Sequence, residues 1–308
     1  MPSIDRRALL LLASASCATA ALSGALRAEG GIAPLGATPA SDAPLTIGSV
    51  TLRVRSLDRM AAFYGDLLGL STISRDEASA AIGVDGVVLL HLERAPEATA
   101  EPMRAAGLYH TAFLMPSRED LARWLVRVAR ERIPLTGFAD HLVSEAVYLD
   151  DPEGNGIEVY SDRPVADWRW NGGTVEMGSK PLDLDRLAIL GGIAAPYGTA
   201  PAGLRIGHVH LRVGEVDTAR DFYGSLGFEP TRRRDGAAFM STGGYHHHLG
   251  LNSWQSAGAG RRREGALGLA RLDLRAKSGR ALARLGGGIQ TETADPWGTA
   301  VRITRASA

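Results

Sequence analysis

An internal repeat constrains the fold of this chain more than any other feature of its sequence. The segment Ile47–Val54 reads IGSVTLRV, and the segment Ile206–Val213 reads IGHVHLRV. A Phe-Tyr-Gly tripeptide follows each of them, at Phe63–Gly65 and at Phe222–Gly224. Apolar and polar residues alternate in both copies, as in a half-buried strand, and the residues that follow have helical spacing. The repeat therefore predicts two halves that begin with the same strand and helix.

The residues after the first strand extend this plan. Leu57, Tyr64 and Leu68 fall on one face of a helix that Gly69 ends. Short strands then continue to Leu92, so each half begins with a predicted β-α-β-β-β module. A second module follows each of these, and its first copy starts with a predicted strand, a helix capped by Ser117 and closing strands that end near Tyr160.

The last module is the least regular of the four. Residues 265–305 repeat the plan in degraded form, and their Asp-Pro-Trp-Gly turn echoes the Asp-Pro-Glu-Gly turn that begins at Asp151. The chain is thus predicted to be an α+β protein of four βαβββ modules. These modules cover about 47–95, 107–161, 204–254 and 264–306, which gives a first tandem-module domain over 47–161, a linker or crossover over 162–203 and a second tandem-module domain over 204–308.

The first residues have the pattern of an export signal. Arg6 and Arg7 precede an apolar run that reaches Leu26, and small residues follow, as in a twin-arginine signal. We therefore expect residues 1–28 to be an export signal and residues 29–44, rich in Gly, Ala, Pro and Ser, to be a flexible lead-in. The processed protein would be periplasmic without stable membrane association; a membrane anchor and a cytoplasmic location are the alternatives.

Composition argues against two classes of protein. Lys and Arg total 34 and Asp and Glu total 34, so the formal net charge is zero and the basic excess of a nucleic-acid-binding protein is missing. The single cysteine, Cys17, lies in the predicted signal. A disulfide framework and a thiolate metal cluster are therefore excluded.

The eight histidines are unevenly distributed along the chain. His91 lies in the first module, the fourth module has none, and seven lie in the second and third modules. The same part of the chain holds Glu158 on an apolar strand, where a buried carboxylate needs a partner or a metal. The seven histidines are His110, His141, His208, His210, His246, His247 and His248.

The four modules, the Ile-Gly-His-Val strand start and the segment Asp151–Glu158, DPEGNGIE, resemble the vicinal oxygen chelate superfamily. Over about 47–306 the chain is similar to type I extradiol dioxygenases of the catechol 2,3-dioxygenase kind. The resemblance implies the glyoxalase/bleomycin resistance/dihydroxybiphenyl dioxygenase fold, in which modules pair into two partly open barrels.

The resemblance also implies a metal site. His110, His208 and Glu158 stand at the family's ligand positions and would bind Fe(II), with Mn(II) as the alternative. Two neutral imidazoles and one carboxylate form the facial triad of non-haem iron oxygenases. Such a triad leaves the opposite face of the metal open for a catechol and O2.

Further site residues are implied in the same way. His247 takes the family's acid/base position, His141 would hydrogen-bond the substrate or oxygen, and Tyr148 would hydrogen-bond the bound catecholate. His210 shares a strand face with His208 and is a candidate pocket residue, with core packing as the alternative. His246 is a second candidate for the pocket, with a structural role as its alternative.

The order of the ligands departs from the family pattern, because the module with His110 and Glu158 precedes the module with His208. Ser49 replaces the ligand in the first module, and Leu269 and Arg302 occupy the ligand positions of the fourth. We therefore predict that the two middle modules build the metal barrel and that the outer two build a metal-free barrel.

The predicted function is Fe(II)-dependent extradiol cleavage of catechol or a substituted catechol with O2, in the catabolism of aromatic compounds. Two alternatives stay open: another metal-dependent enzyme of the superfamily, such as an isomerase or lyase, and a non-catalytic binder of small molecules. The expected partners are a small aromatic diol and O2, without nucleic acid, and a homo-oligomer is left open.

Overall fold

The computed structural model describes residues 39–278, 282 and 290–306. The predicted export signal, with Cys17, lies outside the described residues, as does the lead-in up to residue 38. No helix in the described part of the chain is long and apolar enough to cross a membrane.

Helices and strands follow one another in the predicted module order. The helices are α1 (Pro39–Asp42), α2 (Leu57–Leu68), α3 (Arg118–Arg130), α4 (Leu184–Ile193) and α5 (Val216–Ser225). The strands of the first two modules are β1 (Leu45–Val54), β2 (Ser71–Arg75), β3 (Ser79–Val84), β4 (Val87–Arg94), β5 (Gly107–Leu114), β6 (Gly137–Asp140), β7 (Ser144–Asp150) and β8 (Gly156–Asp162). The remaining strands are β9 (Trp170–Asn171), β10 (Thr174–Val175), β11 (Arg205–Arg212), β12 (Glu229–Arg234), β13 (Ala237–Ser241), β14 (Leu249–Asn252), β15 (Gly268–Ala276), β16 (Gln290–Ala294) and β17 (Ala300–Arg305).

Two large sheets pair the modules in the nested way that the ligand order predicted. The first sheet has seven strands in the order β16-β17-β15-β1-β4-β3-β2, from the first and fourth modules. The second has eight strands in the order β12-β13-β14-β11-β5-β8-β7-β6, from the two middle modules. In each sheet the first strands of the two modules pair antiparallel at the centre. The α+β fold class of two half-barrels is thereby confirmed.

Local sequence explains where the helices begin and end. Ser56 and Ser117 cap α2 and α3 by accepting hydrogen bonds from backbone N–H groups in the first turn. Gly69 ends α2 with a φ of 71°, a left-handed conformation that glycine adopts without steric cost. The apolar face of α2 packs into a core that continues through both sheets and includes Leu52 and Leu211 of the two central strand pairs.

The connection over 162–203 packs on helices that lie against both sheets. Its helix α4 lies on α3 so closely that a Cβ added at Gly191 would come within 2.2 Å of the carbonyl oxygen of Ala122. Farther along, the Tyr197 hydroxyl donates a hydrogen bond of 2.7 Å to the carbonyl of Leu68, at the end of α2. The connection therefore crosses between the first and second sheets, as its length suggested.

The end of the predicted flexible lead-in is packed instead. Within residues 39–44, α1 forms and the side chains of Ala40 and Ala43 are buried. The carbonyl of Ala40 is 3.3 Å from Nε2 of His248. This contact and the burial of the two alanines attach the segment to the third module, so the lead-in prediction is wrong for these residues.

Strand register corrects one predicted equivalence in the first sheet. Arg271 pairs with Thr51 of β1, at the position that His110 holds opposite β11. Leu269, which we predicted there, pairs with Leu52 and is buried in the core. β15 and β5 correspond when each is aligned from the glycine at which it begins. The prediction was therefore two residues out of register in the last module.

The strand register agrees with the other two predicted equivalences, those of Ser49 and Arg302 to ligand positions of the second sheet. Ser49 and Arg302 both pair with Asp273 of β15, in the way that His208 and Glu158 both pair with one residue of β5. Asp273 accepts hydrogen bonds from Ser49 Oγ at 3.2 Å and from Arg302 Nε at 2.5 Å. The first sheet thus has a hydroxyl and guanidinium groups where the second sheet has its candidate metal ligands. Arginine stays protonated and so does not bind a cation.

Candidate metal centre

The three predicted ligands converge at the centre of the second sheet. His208, His110 and Glu158 lie on the adjacent strands β11, β5 and β8, and all three side chains are buried. Nε2 of His110 is 3.0 Å and Nε2 of His208 is 3.2 Å from Oε2 of Glu158. Their donor atoms lie within 4.8 Å of one another. One ion could therefore contact all three.

The triad holds the protonation states that a metal requires. Burial alone would raise the pKa of Glu158, but the neighbouring imidazoles of His208 and His110 hold that pKa well below its ordinary value. Burial lowers the pKa of His208 to about 4, against the opposing effect of Glu158. At neutral pH the site thus offers a carboxylate and an unprotonated His208.

An unsatisfied polar atom indicates that a metal fits here. Nε2 of His110 is buried and makes no hydrogen bond of acceptable geometry, although Oε2 of Glu158 is only 3.0 Å away. A buried polar atom without a partner costs about 1–3 kcal/mol. A divalent cation among the three donors would remove that cost, and the set of two nitrogens and one carboxylate oxygen matches the facial triad.

Tyr148 and His141 form a hydrogen-bonded pair beside the triad. Tyr148 pairs across the sheet with Glu158, and its hydroxyl is 2.6 Å from Nε2 of His141. Nδ1 of His141 is 2.7 Å from the carbonyl oxygen of Gly178, which can only accept, so the Tyr148 hydroxyl donates to Nε2. Burial, and then Glu158, raise the pKa of Tyr148 well above its ordinary value, so its hydroxyl keeps the proton it donates.

His247 and His246 lie on the other side of His208. The ring centres of His247 and His208 are 4.1 Å apart with the planes tilted by 45°, and Nδ1 of His247 is 2.7 Å from Nδ1 of His246. Nε2 of His246 in turn is 2.8 Å from Oδ1 of Asp162. Burial, followed by the neighbouring imidazoles, holds the pKa of His247 well below its ordinary value, so the ring is neutral at pH 7.

His210 packs within an aromatic group next to the triad. Its ring centre is 4.9 Å from that of His110, 5.0 Å from that of Tyr109 and 5.6 Å from that of Trp254. Its Nε2 is buried without a hydrogen-bond partner among the described residues. Gly250 allows this packing, because a Cβ there would lie 2.7 Å from the imidazole of His210.

The sequence analysis missed two residues that organise the site. Asp162 lies on β8 four positions after Glu158, so the two-residue period of a strand puts both on one face and could have identified it. Gly178 belongs to the connection between the halves, and no local pattern links it to His141. Of the remaining histidines, His91 lies in the first sheet and His248 bonds to Ser241.

A cavity of about 340 Å³ lies apart from the triad, at the seam between the two sheets. Its lining includes Ile47, Leu89 and Ile206 together with Arg205 and Arg275. None of the three triad residues, all described, contributes to its wall. This cavity and the candidate metal centre are therefore separate.

Comparison with known proteins agrees with this architecture. The family model described as Glyoxalase/Bleomycin resistance protein/Dioxygenase superfamily matches residues 46–159 and 205–300. A protein of Bacillus subtilis (strain 168) named catechol-2,3-dioxygenase is 40% identical over 229 residues, which cover 72% of this chain and 80% of that protein.

Solved structures show the same fold at low sequence identity. A candidate dioxygenase from Bacillus subtilis subsp. subtilis str. 168 has a TM-score of 0.57 at 17% identity, covering 85% of each chain. Glyoxalase I from Zea mays has a TM-score of 0.51 at 13% identity, covering 85% of this chain and 92% of its own. Together with the family model and the 40% identical relative, they lead to one conclusion: the chain belongs to the glyoxalase/bleomycin resistance protein/dioxygenase superfamily.

Proposed function

We propose that this protein is an Fe(II)-dependent extradiol dioxygenase that opens the ring of catechol or a substituted catechol with O2. The observation that carries the proposal is the convergence of His110, Glu158 and His208 between two further groups able to handle protons, His247 and Tyr148. The relative named catechol-2,3-dioxygenase supports an aromatic substrate and O2.

The metal and the protein have separate tasks in this proposal. His110, Glu158 and His208 would hold Fe(II), which would supply the redox chemistry between the catechol and O2. His247 is the base that takes a hydroxyl proton from the catechol and later returns one, because its ring is neutral and lies against the ligand His208. Burial of the site excludes water from these proton transfers.

Tyr148 and His141 orient the substrate on the other side. The Tyr148 hydroxyl, beside Glu158, is placed to accept a hydrogen bond from a catechol hydroxyl, because its own proton goes to His141. His141 accepts from the Tyr148 hydroxyl and is itself held by the carbonyl of Gly178, so the hydroxyl has a defined direction before the substrate arrives. His210 and Tyr109 supply an apolar wall for the aromatic ring.

Anaerobic reconstitution with Fe(II), followed by catechol and then O2, tests the proposal. We expect a yellow ring-opened product and uptake of one O2 for each catechol consumed. The same protein loaded with Mn(II) in parallel distinguishes the two metals. If the protein binds metal but takes up no O2 with any catechol tried, the dioxygenase proposal is rejected. The alternative of another metal-dependent enzyme of the superfamily is then favoured. Failure to bind metal would instead favour the alternative of a non-catalytic binder of small molecules.

A further inference from the structure

A chain of three hydrogen-bonded side chains leads from the edge of the site to His247. Oδ1 of Asp162 is 2.8 Å from Nε2 of His246, and Nδ1 of His246 is 2.7 Å from Nδ1 of His247. The His246 side chain is fully buried, His247 is 7% exposed and the Asp162 side chain is 18% exposed. Each link is therefore a short hydrogen bond shielded from water.

The direction of these hydrogen bonds follows from the donors available. An ionised carboxylate only accepts, so Nε2 of His246 carries the proton that lies between it and Asp162. In the neutral form of His246 this is the single N–H of the ring, so its Nδ1 is bare. The proton between the two Nδ1 atoms must then belong to His247. Its Nε2 is left as the bare, basic atom.

We propose that Asp162 and His246 are positioning residues that fix the tautomer of His247, with Nδ1 protonated and Nε2 available as the proton acceptor. Without them, a neutral imidazole in water would exchange between its two tautomers, and only one of these could act as a base through Nε2. The proposal rests on the proposed function only where His247 is given the role of base. The tautomer itself is a property of the protein without metal or substrate.

Neighbouring groups favour this direction of the hydrogen bonds from His247 to Asp162. The Tyr245 hydroxyl donates to the same Oδ1 of Asp162 at 3.2 Å, and the Tyr160 and Tyr245 hydroxyls lie 2.7 Å apart. A carboxylate with two donors at one oxygen is stabilised as the acceptor. The indole of Trp168, from the connection between the halves, covers the His246 ring at 5.0 Å. His246 is thus confined to the partners that these residues leave to it.

The carboxylate and the ligand Glu158 share one strand face. Asp162 lies four residues after Glu158 on β8, while His246 and His247 come from the loop before β14. The strand that supplies the carboxylate ligand therefore also sets the orientation of the base. Metal ligation and proton transfer are coupled through the position of β8.

Nuclear magnetic resonance of the metal-free protein labelled with ¹⁵N in histidine tests the tautomer. Long-range ¹H–¹⁵N correlation distinguishes a bare ring nitrogen from a protonated one, and a His247→Gln variant assigns the signals. We expect a protonated Nδ1 and a bare Nε2 in His247. A protonated Nε2 with a bare Nδ1 would overturn the proposal. This readout is independent of turnover, so it remains valid if the dioxygenase proposal fails.

Asp162→Ala extends the test to catalysis. The variant leaves a proton on Nε2 of His246 buried without an acceptor, so that proton should move to Nδ1 of His246 and the proton of His247 to Nε2. We expect kcat to fall by about 100-fold or more, because general-base catalysis contributes roughly that much, while KM and metal content stay near those of the wild type. Asp162→Glu restores a carboxylate and should recover the original tautomer and part of kcat.

A matched control separates this role from a structural one. Asp66→Ala changes an exposed aspartate of α2, which lies on the first sheet, and should alter neither the His247 spectrum nor kcat. If Asp162→Ala keeps the wild-type tautomer and full kcat, Asp162 is not a positioning residue. If that variant fails to fold, the wild-type tautomer alone still decides the matter.

Discussion

Nε2 of His208 lies 3.2 Å from Oε2 of Glu158, although 50 residues separate the two along the chain. The contact joins the second module to the third and exists only because β11 and β8 flank the same strand, β5. It places the metal site in a barrel built from the middle of the sequence.

Replacing Glu158 by Gln should abolish tight metal binding. The variant removes the carboxylate that both histidines approach, and a neutral amide is a poorer donor for a divalent cation. Titration calorimetry with Mn(II) should show one site per chain in the wild type and none in the variant. Ser49→Ala, at the place in the first sheet that corresponds to His208, is the control. Loss of binding in Ser49→Ala would place the metal elsewhere.

His247→Ala should keep the metal and lose most turnover. The imidazole lies against His208, with the ring centres 4.1 Å apart, so its removal takes away the proposed base and leaves the three triad residues in place. We expect kcat to fall by about 100-fold or more, with the metal content of purified protein unchanged. A variant that no longer retains metal would make His247 a ligand instead of a base.

Tyr148→Phe should weaken substrate binding without removing the metal. The change deletes the hydroxyl that bonds to His141 beside Glu158, and loss of one such hydrogen bond costs about 1–3 kcal/mol. We expect kcat/KM to fall by about 10-fold or more. Tyr197→Phe, whose hydroxyl bonds to Leu68 far from the site, should leave kcat/KM unchanged. Equal losses in both variants would indicate a general effect on folding.

Gly207→Ala should destabilise the second sheet. An added Cβ would lie 1.8 Å from the Tyr160 hydroxyl, beneath the strand that carries His208. Overpacking of this kind costs about 1–3 kcal/mol, which thermal unfolding should register as a lower Tm. Gly192→Ala in α4 is the control, because its Cβ meets nothing within 4 Å and should raise stability slightly. An unchanged Tm for Gly207→Ala would contradict the packing described around Tyr160.

The exported form, if the leader functions, should begin after residue 20 and before residue 39. The lower bound comes from the apolar run, and the upper bound from α1, which packs with Ala40 buried against the third module. N-terminal sequencing of protein from the periplasmic fraction measures the start. Changing Arg6 and Arg7 to Lys should retain the protein in the cytoplasm. Full-length protein in the cytoplasm of the unaltered strain would support the cytoplasmic alternative.

The fold could be predicted from the sequence because its signals are local and repeated. The matching strand starts at Ile47 and Ile206 and the caps at Ser117 and Gly69 each act within a few residues. The degraded last module shows where this fails. Its ligand position was assigned to Leu269 and belongs to Arg271, because register depends on hydrogen bonding to β1 across the whole chain.

The sequence by itself indicated which side chains could bind a metal, since its resemblance to the superfamily puts His110, Glu158 and His208 at the family's ligand positions. Only the tertiary structure decided that β5 and β11 pair, and so brought these three within reach of one ion. It also decided which atoms of the histidines face which partners, through Gly178 and Asp162. Those contacts join residues distant in sequence, and their geometry depends on packing across the sheet, which no local pattern encodes.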